Sequence, residues 1–168
     1  GNLAAARANY GQALAIWQAR FGDEYPYTLL ARNNIALLLL REQPAAAAEQ
    51  FAQVLATAQA IMPAGDSRIG RTHNNLGEAL RQLGELERAE EHFGQAHAIL
   101  HAKLGDTHPE TMLVRMHQAQ ITAAQGDCAS AREAIAAVLA HYERTLGPGS
   151  PLAGQARQAL AELPCEQA

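Results

Sequence analysis

Gly22-Asp23-Glu24-Tyr25-Pro26-Tyr27-Thr28 returns as Gly105-Asp106-Thr107-His108-Pro109-Glu110-Thr111, and a shortened form, Gly147-Pro148-Gly149-Ser150-Pro151, follows. The prolines at 26, 109 and 151 stand 83 and then 42 residues apart, so one copy of a unit of about 41 residues is hidden between the first two. That copy falls at Asp66-Ser67, where Ser67 takes the place of the proline. A second landmark follows each: Arg32-Asn33-Asn34-Ile35-Ala36, His73-Asn74-Asn75-Leu76-Gly77, Arg115-Met116-His117-Gln118-Ala119 and Arg157-Gln158-Ala159-Leu160-Ala161. A third is a recurring alanine, Ala6, Ala48, Ala89 and Ala131.

Each unit divides into two helices. The first begins at the proline, whose fixed φ suits the opening position of a helix and whose missing N–H costs no intrahelical bond there. The expected first helices cover 26–42, 67–83, 109–125 and 151–163, with Ser150 as an N-cap for the last. Gln43-Pro44, Gly84-Glu85 and Gly126-Asp127 end the first three. The second helices are expected at 3–20, 45–61, 86–104 and 128–146, with apolar residues at helical spacing such as Leu86, Ala89, Phe93, Ala96 and Leu100. Composition agrees: Ala (37) and Leu (21) dominate the 168 residues, whereas Val, Ile and Thr total 17, too few for a β-rich fold. The fold expected is therefore all-α, eight helices in antiparallel pairs. Small residues at 36, 77, 119 and 161, and at 48, 89 and 131, let backbones approach, while Tyr10, Phe93 and Ile135 fill the space beside them. No pair buries its apolar face alone, so stacking of neighbours makes the core.

These landmarks resemble the tetratricopeptide repeat, and the 41–42-residue period with its Leu-Gly-Asp-x-His-Pro-x-Thr linker and Arg-Asn-Asn-Ile-Ala run resembles the kinesin-light-chain type of it. The resemblance implies a right-handed superhelical solenoid over 1–168: a half repeat at 1–25, repeats at 26–66, 67–108 and 109–150, and a capping helix at 151–163. The chain departs from the pattern at Met116-His117-Gln118, and Arg32, His73, Arg115 and Arg157 stand where such repeats often carry an aromatic residue.

The resemblance also implies a groove lined by the first helices that binds an extended peptide or partner segment. The expected groove residues are Asn33, Leu37, Arg41, Arg71, Asn74, Glu78, Arg81, Met116 and Gln120. First helices carry a net +3 and the rest of the chain −7, within a total of −4. That split points to an acidic or phosphorylated partner, since Arg forks suit carboxylates and phosphates. Alternatively, several of these Arg pair with linker acids such as Asp23, Asp66 or Asp106, and the Asn residues hydrogen-bond between helices. Of the Asn pairs, Asn33 and Asn74 are the expected ligand contacts and Asn34 and Asn75 the structural ones. The run Leu37-Leu38-Leu39-Leu40 reads as buried against the helix at 3–20, near Trp17.

Other functions find little support. A mildly acidic total disfavours general nucleic-acid binding. His97 and His101 have metal-ligand spacing but no third ligand, and no catalytic dyad or phosphate-cradling loop stands out, so neither a metal, a cofactor nor an enzyme activity is expected. Two cysteines, too few for a disulfide framework, fit a reducing compartment, with Cys128 as a small apolar residue. The longest apolar run, 35–40, is far short of a membrane span, and no signal peptide opens the chain, so a cytoplasmic setting is expected. The chain begins in mid-pattern and reads as a piece of a larger regulatory or scaffold protein, of bacterial type by its Arg-rich, Lys-poor composition. The alternatives are a ligand-responsive sensor and a module that self-assembles through its terminal helices.

Overall fold

A computed structural model describes residues 3–165. They form eight helices: α1 (Leu3–Phe21), α2 (Pro26–Leu39), α3 (Pro44–Ile61), α4 (Ser67–Gln82), α5 (Leu86–Leu104), α6 (Pro109–Ala124), α7 (Cys128–Leu146) and α8 (Pro151–Ala161). No strand occurs among the described residues. The chain divides into two compact units, Gly1–Ile99 and Leu100–Ala168, with the division inside α5. The two are described separately.

The helix ends follow local chemistry. Proline opens α2, α3, α6 and α8, and side chains of Asp66, His108, Asp127 and Ser150 cap α4, α6, α7 and α8 by accepting from backbone N–H groups. Gly84 and Gly126 take φ of 79° and 100°, the left-handed conformation that closes a helix and that a side chain would strain. The α2–α3 turn has no such glycine. There Gln43, constrained by Pro44 after it, leaves the helical region (φ −140°, ψ 65°), and α2 stops at Leu39, three residues short of the expected end.

In the first unit the small-residue positions hold as the repeat requires. Ala36, Ala47 and Ala89 are fully buried, as are Phe51 and Phe93, each four residues after its alanine. The third landmark in α3 is thus Ala47 and not the expected Ala48, which is only half-buried. Ala36 and Ala47 stand 11 residues apart, where Gly77 and Ala89, and Ala119 and Ala131, stand 12 apart, so the alanine comes one residue earlier. A Cβ built on Gly77 would lie 2.8 Å from two ring carbons of Phe93, inside any real carbon–carbon contact. Tyr10, expected to fill a similar space, is 37% exposed, and no described residue of α1 is fully buried. Trp17 stacks on Tyr27 and meets Phe21 and Tyr25, instead of covering the Leu37–Leu40 run. Leu37 is exposed and the other three are half-buried, which corrects the expected burial.

A polar contact lies within the α3–α4–α5 core of this unit. His73 Nδ1 is 2.9 Å from His92 Nδ1, and His73 Nε2 is 3.4 Å from the Gln59 amide nitrogen. The amide nitrogen can only donate, so His73 Nε2 accepts and its Nδ1–H donates to His92. Burial, with His92 beside it, lowers the His73 pKa to about 4, and burial lowers that of His92 as well.

The second unit has its own core: Met112, Met116, Ala119 and Ala123 of α6, Ala131, Ile135, Val138 and Tyr142 of α7, and Ala153, Ala156 and Leu163 from α8 and just beyond. Cys128 and Cys165 form a disulfide, with Cα atoms 5.8 Å apart. This corrects the reading of Cys128 as a small apolar residue, and it removes cysteine usage as support for a reducing compartment. Cys165 lies beyond the last repeat landmark, so the period gave no sign of the pairing.

Two measurements check this packing. Gly77→Ala forces the Phe93 ring out of a filled space. It is expected to cost about 1–3 kcal/mol, read as a lower urea midpoint at unchanged slope, with Phe93→Leu restoring part of the loss. The histidine pair sets a pH dependence. Unfolded, His73 takes a proton below its ordinary value near 6.5; folded, it does not until about pH 4. Stability is therefore full above that ordinary value and falls by up to about 3 kcal/mol as the pH drops toward 4. In His73→Gln the stability profile should lose this slope relative to the parent protein.

Candidate functional site

The first helices carry three sets of residues in matching register, 41 or 42 apart: Leu30, Arg71, Leu113 and Gln155; Asn33, Asn74, Met116 and Gln158; Leu37, Glu78, Gln120 and Glu162. On a helix, residues three, four and seven apart share a face, so each first helix presents one member of every set along one stripe. Each unit has a cavity lined by residues of these sets.

In the first unit an open cleft lies among α2, α3 and α4. Leu29, Val54, Ala58 and Met62 give it an apolar floor, and Leu30, Asn33, Arg68 and Arg71 stand around it with Pro26 and Thr72. Its enclosed volume is about 50 Å³, well below that of small-molecule pockets, which suits it to one side chain of a larger partner. Asn75 Nδ2 donates to Asn33 Oδ1 at 3.2 Å, joining the two first helices and leaving the Asn33 NH2 group as a donor. Arg71 Nη2 donates to Ser67 Oγ at 3.2 Å, and Arg68 forks onto Asp66 at 2.9 and 2.6 Å. The hydrogen bond to Asp66 is the main cause holding the Arg68 guanidinium above its ordinary pKa.

The second unit has a pocket between α6 and α8, lined by Leu113, Met116, His117, Gln120, Gln155, Gln158, Ala159 and Glu162. Met116 is buried and forms its floor. Gln158 Nε2 donates to Glu162 Oε1 at 2.8 Å, and Gln120 Oε1 is buried without a hydrogen-bond partner. This pocket is rich in amides, whereas the cleft of the first unit is apolar with a cationic rim.

The expected groove residues are therefore distributed unevenly. Asn33 and Arg71 meet in one cavity, and Met116 and Gln120 in the other. Glu78 and Arg81 pair with each other through two contacts of 2.8 Å. Asn74 is buried, with 6% of its surface exposed, which leaves it little reach toward a ligand. Leu37 is exposed on α2, and Arg41 is exposed in the turn after it, outside both linings. Three of the Arg residues do pair with acids near the linkers: Arg32 with Asp23, Arg68 with Asp66, and Arg157 with Glu143. Leu30, Arg68, Met62, His117, Gln155 and Gln158 were not anticipated. Carrying Arg71 through its register set would have found Leu30 and Gln155.

Among the described residues, no group of three or more His, Cys, Asp or Glu is placed to hold a metal ion. His92 is occupied with His73, and His101 Nδ1 lies 2.8 Å from Asp106 Oδ1. No helix of the described residues is long and apolar enough to cross a membrane.

Comparison with known proteins agrees with this architecture. A tetratricopeptide repeat family model matches residues 1–60 and 68–134. No curated protein matches the chain. Among solved structures, a kinesin light chain from Podosopora anserina with nearly identical TPR-like repeats is 23% identical, with a TM-score of 0.72 over 96% of this chain and 76% of that one. BtubC (BKLC) from P. vanneervenii is 16% identical, with a TM-score of 0.72 over 97% and 66% of the two chains. A Rap protein in complex with competence and sporulation factor is 18% identical, with a TM-score of 0.67 over 92% and 46%. The stacked helix pairs, the small-residue contacts and the family match agree: this chain belongs to the tetratricopeptide repeat family.

Proposed function

We propose that the chain is a protein–protein interaction module, the recognition part of a longer regulatory or scaffold protein, and that it grips an extended partner segment along its first helices. The cleft of the first unit carries this reading. Its apolar floor takes an aliphatic or aromatic side chain, and the Asn33 NH2 group and Arg71 stand at its rim to meet a backbone carbonyl or a carboxylate. A fold likeness to a Rap protein complexed with competence and sporulation factor fits a peptide ligand. Nothing in either cavity favours catalysis over binding.

An acidic partner is the finer part of the reading. Much of the basic excess of the first helices is engaged, since Arg32, Arg68, Arg81 and Arg157 have carboxylate partners. The preference is carried by Arg41, exposed on the turn after α2, with Arg71 placed on the cleft lining. Such exposed pairs contribute little each, about 0–1 kcal/mol, so the apolar cleft supplies affinity and the Arg residues supply selectivity. A cytoplasmic setting belongs to the same reading, and the disulfide weighs against it.

Exposed Tyr10, Ile16 and Phe21 on α1 favour a second reading, self-association through that helix. It predicts a mass that rises with concentration and returns to that of the monomer in Ile16→Glu.

The binding reading is tested by Asn33→Ala and Arg71→Glu against a partner recovered by pull-down. Both variants should keep the circular dichroism of the parent. Asn33→Ala is expected to weaken binding about tenfold, near the value of one buried hydrogen bond. Arg71→Glu should weaken it further and remove its salt dependence. Unchanged binding by both variants would show that the cleft is not the site.

A further inference from the structure

We propose that the Cys128–Cys165 disulfide is a redox-controlled latch that decides whether α8 stays docked, and with it whether the α6–α8 pocket exists. The latch stands on the structure of the second unit alone. Only its consequence for partner binding rests on the reading given above.

α8 is the weakest-held helix of its unit. It has 11 residues, too few for a helix to persist in water by itself. Within the helix Ala153 and Ala156 are fully buried and Leu152, Ala159 and Leu160 are partly buried against the same core; Leu163, just beyond, adds one more buried side chain. The helix packs chiefly on α7 and touches α6 only slightly. That slight contact is what leaves the pocket open, and the width of the pocket is set by how α8 lies on α7.

The disulfide acts on that arrangement. It binds Cys165, just past the end of α8, to Cys128, the first residue of α7. Both ends of α8 are thereby fixed to α7, one by the short turn at 147–150 and the other by the sulfur bridge. α8 and its C-cap residue contribute Gln155, Gln158, Ala159 and Glu162 to the pocket, half of its lining. Both cysteines are half-buried at the margin of the core, so a thiol can reach the bond without unfolding the unit.

The reductant is a dithiol. Its thiolate attacks Cys165 Sγ, the S–S bond breaks, and Cys128 leaves as a thiolate. The N-terminus of α7 favours that negative charge before a proton is taken up. The second thiol of the reductant then displaces Cys165. The products are two cysteine thiols and the oxidised dithiol, and oxidation by a disulfide of the same class reverses each step. Freed of the bridge, α8 is held by the turn at 147–150, by Ala153, Ala156 and Leu163, and by the partly buried Leu152, Ala159 and Leu160.

Hydrogen exchange on the whole chain tests this, with dithiothreitol as the probe dithiol and Cys128→Ser/Cys165→Ser as a permanently reduced reference. Reduction is expected to speed exchange of α8 amides on the order of a hundredfold, from the loss of a 37-residue cross-linked loop, and to leave α3 and α4 unchanged. The side-chain amide signals of Gln120, Gln155 and Gln158 should shift together with it, a readout that needs no ligand. Reoxidation should restore both. A change in α8 exchange below threefold would overturn the proposal. So would melting of α6 and α7 along with α8, which would make the bond a staple of the whole unit. Alkylation of either cysteine in the unreduced protein would overturn it as well. If the latch holds and partner binding is indifferent to reduction, the pocket is gated but is not the binding site.

Discussion

The close approach of a first helix to the second helix of its own repeat is the constraint on which the rest depends. At Gly77 the approach is so tight that the Phe93 ring occupies the volume of an absent methyl group. Elsewhere Ala36 and Ala119 meet the same need with one carbon more. A position that admits only hydrogen or methyl fixes the rotation of both helices about their axes. Rotation in turn decides which residues face the neighbouring pair and which face solvent. The register sets that line the two cavities are thus a consequence of a few small residues on an adjoining face of the same helices.

The position often aromatic in such repeats shows how this chain resolves a local exception. Arg32, His73, Arg115 and Arg157 stand there, and a polar group held near a core needs a partner. Arg32 finds Asp23, Arg157 finds Glu143 and the Pro148 carbonyl, and His73, the most buried of the three, finds His92 and Gln59. The histidine pair is the most buried of these contacts, and burial there lowers the His73 pKa to about 4.

Much of the fold was legible because proline, glycine and alanine each report a backbone requirement. The expected helices at 86–104 and 128–146 match the structure, and Ser150 caps α8 as anticipated. The reading failed where a turn lacked that chemistry: without a glycine after α2, the helix ended early and Ala47 took the place assigned to Ala48. The candidate site was less legible. Periodicity identifies the face of a helix but not which side chains on it will meet. Asn33 and Asn75 bond across repeats though neither is its partner's register equivalent, and Glu78 turns to Arg81 on its own helix. Cys165 lies outside every repeat, so nothing in the period marked it.

The disulfide has a mechanical consequence. Residues 129–164 lie inside a covalently closed loop, because the bridge joins 128 to 165 directly. Tension applied to the chain beyond Cys165 passes through the sulfur atoms to the start of α7 and bypasses both helices in the loop. α7 and α8 then bear no load, and the first elements to yield under traction lie before Cys128. With the bridge open, the same pull would peel α8 first. A change in oxidation state therefore reverses the order in which the chain gives way.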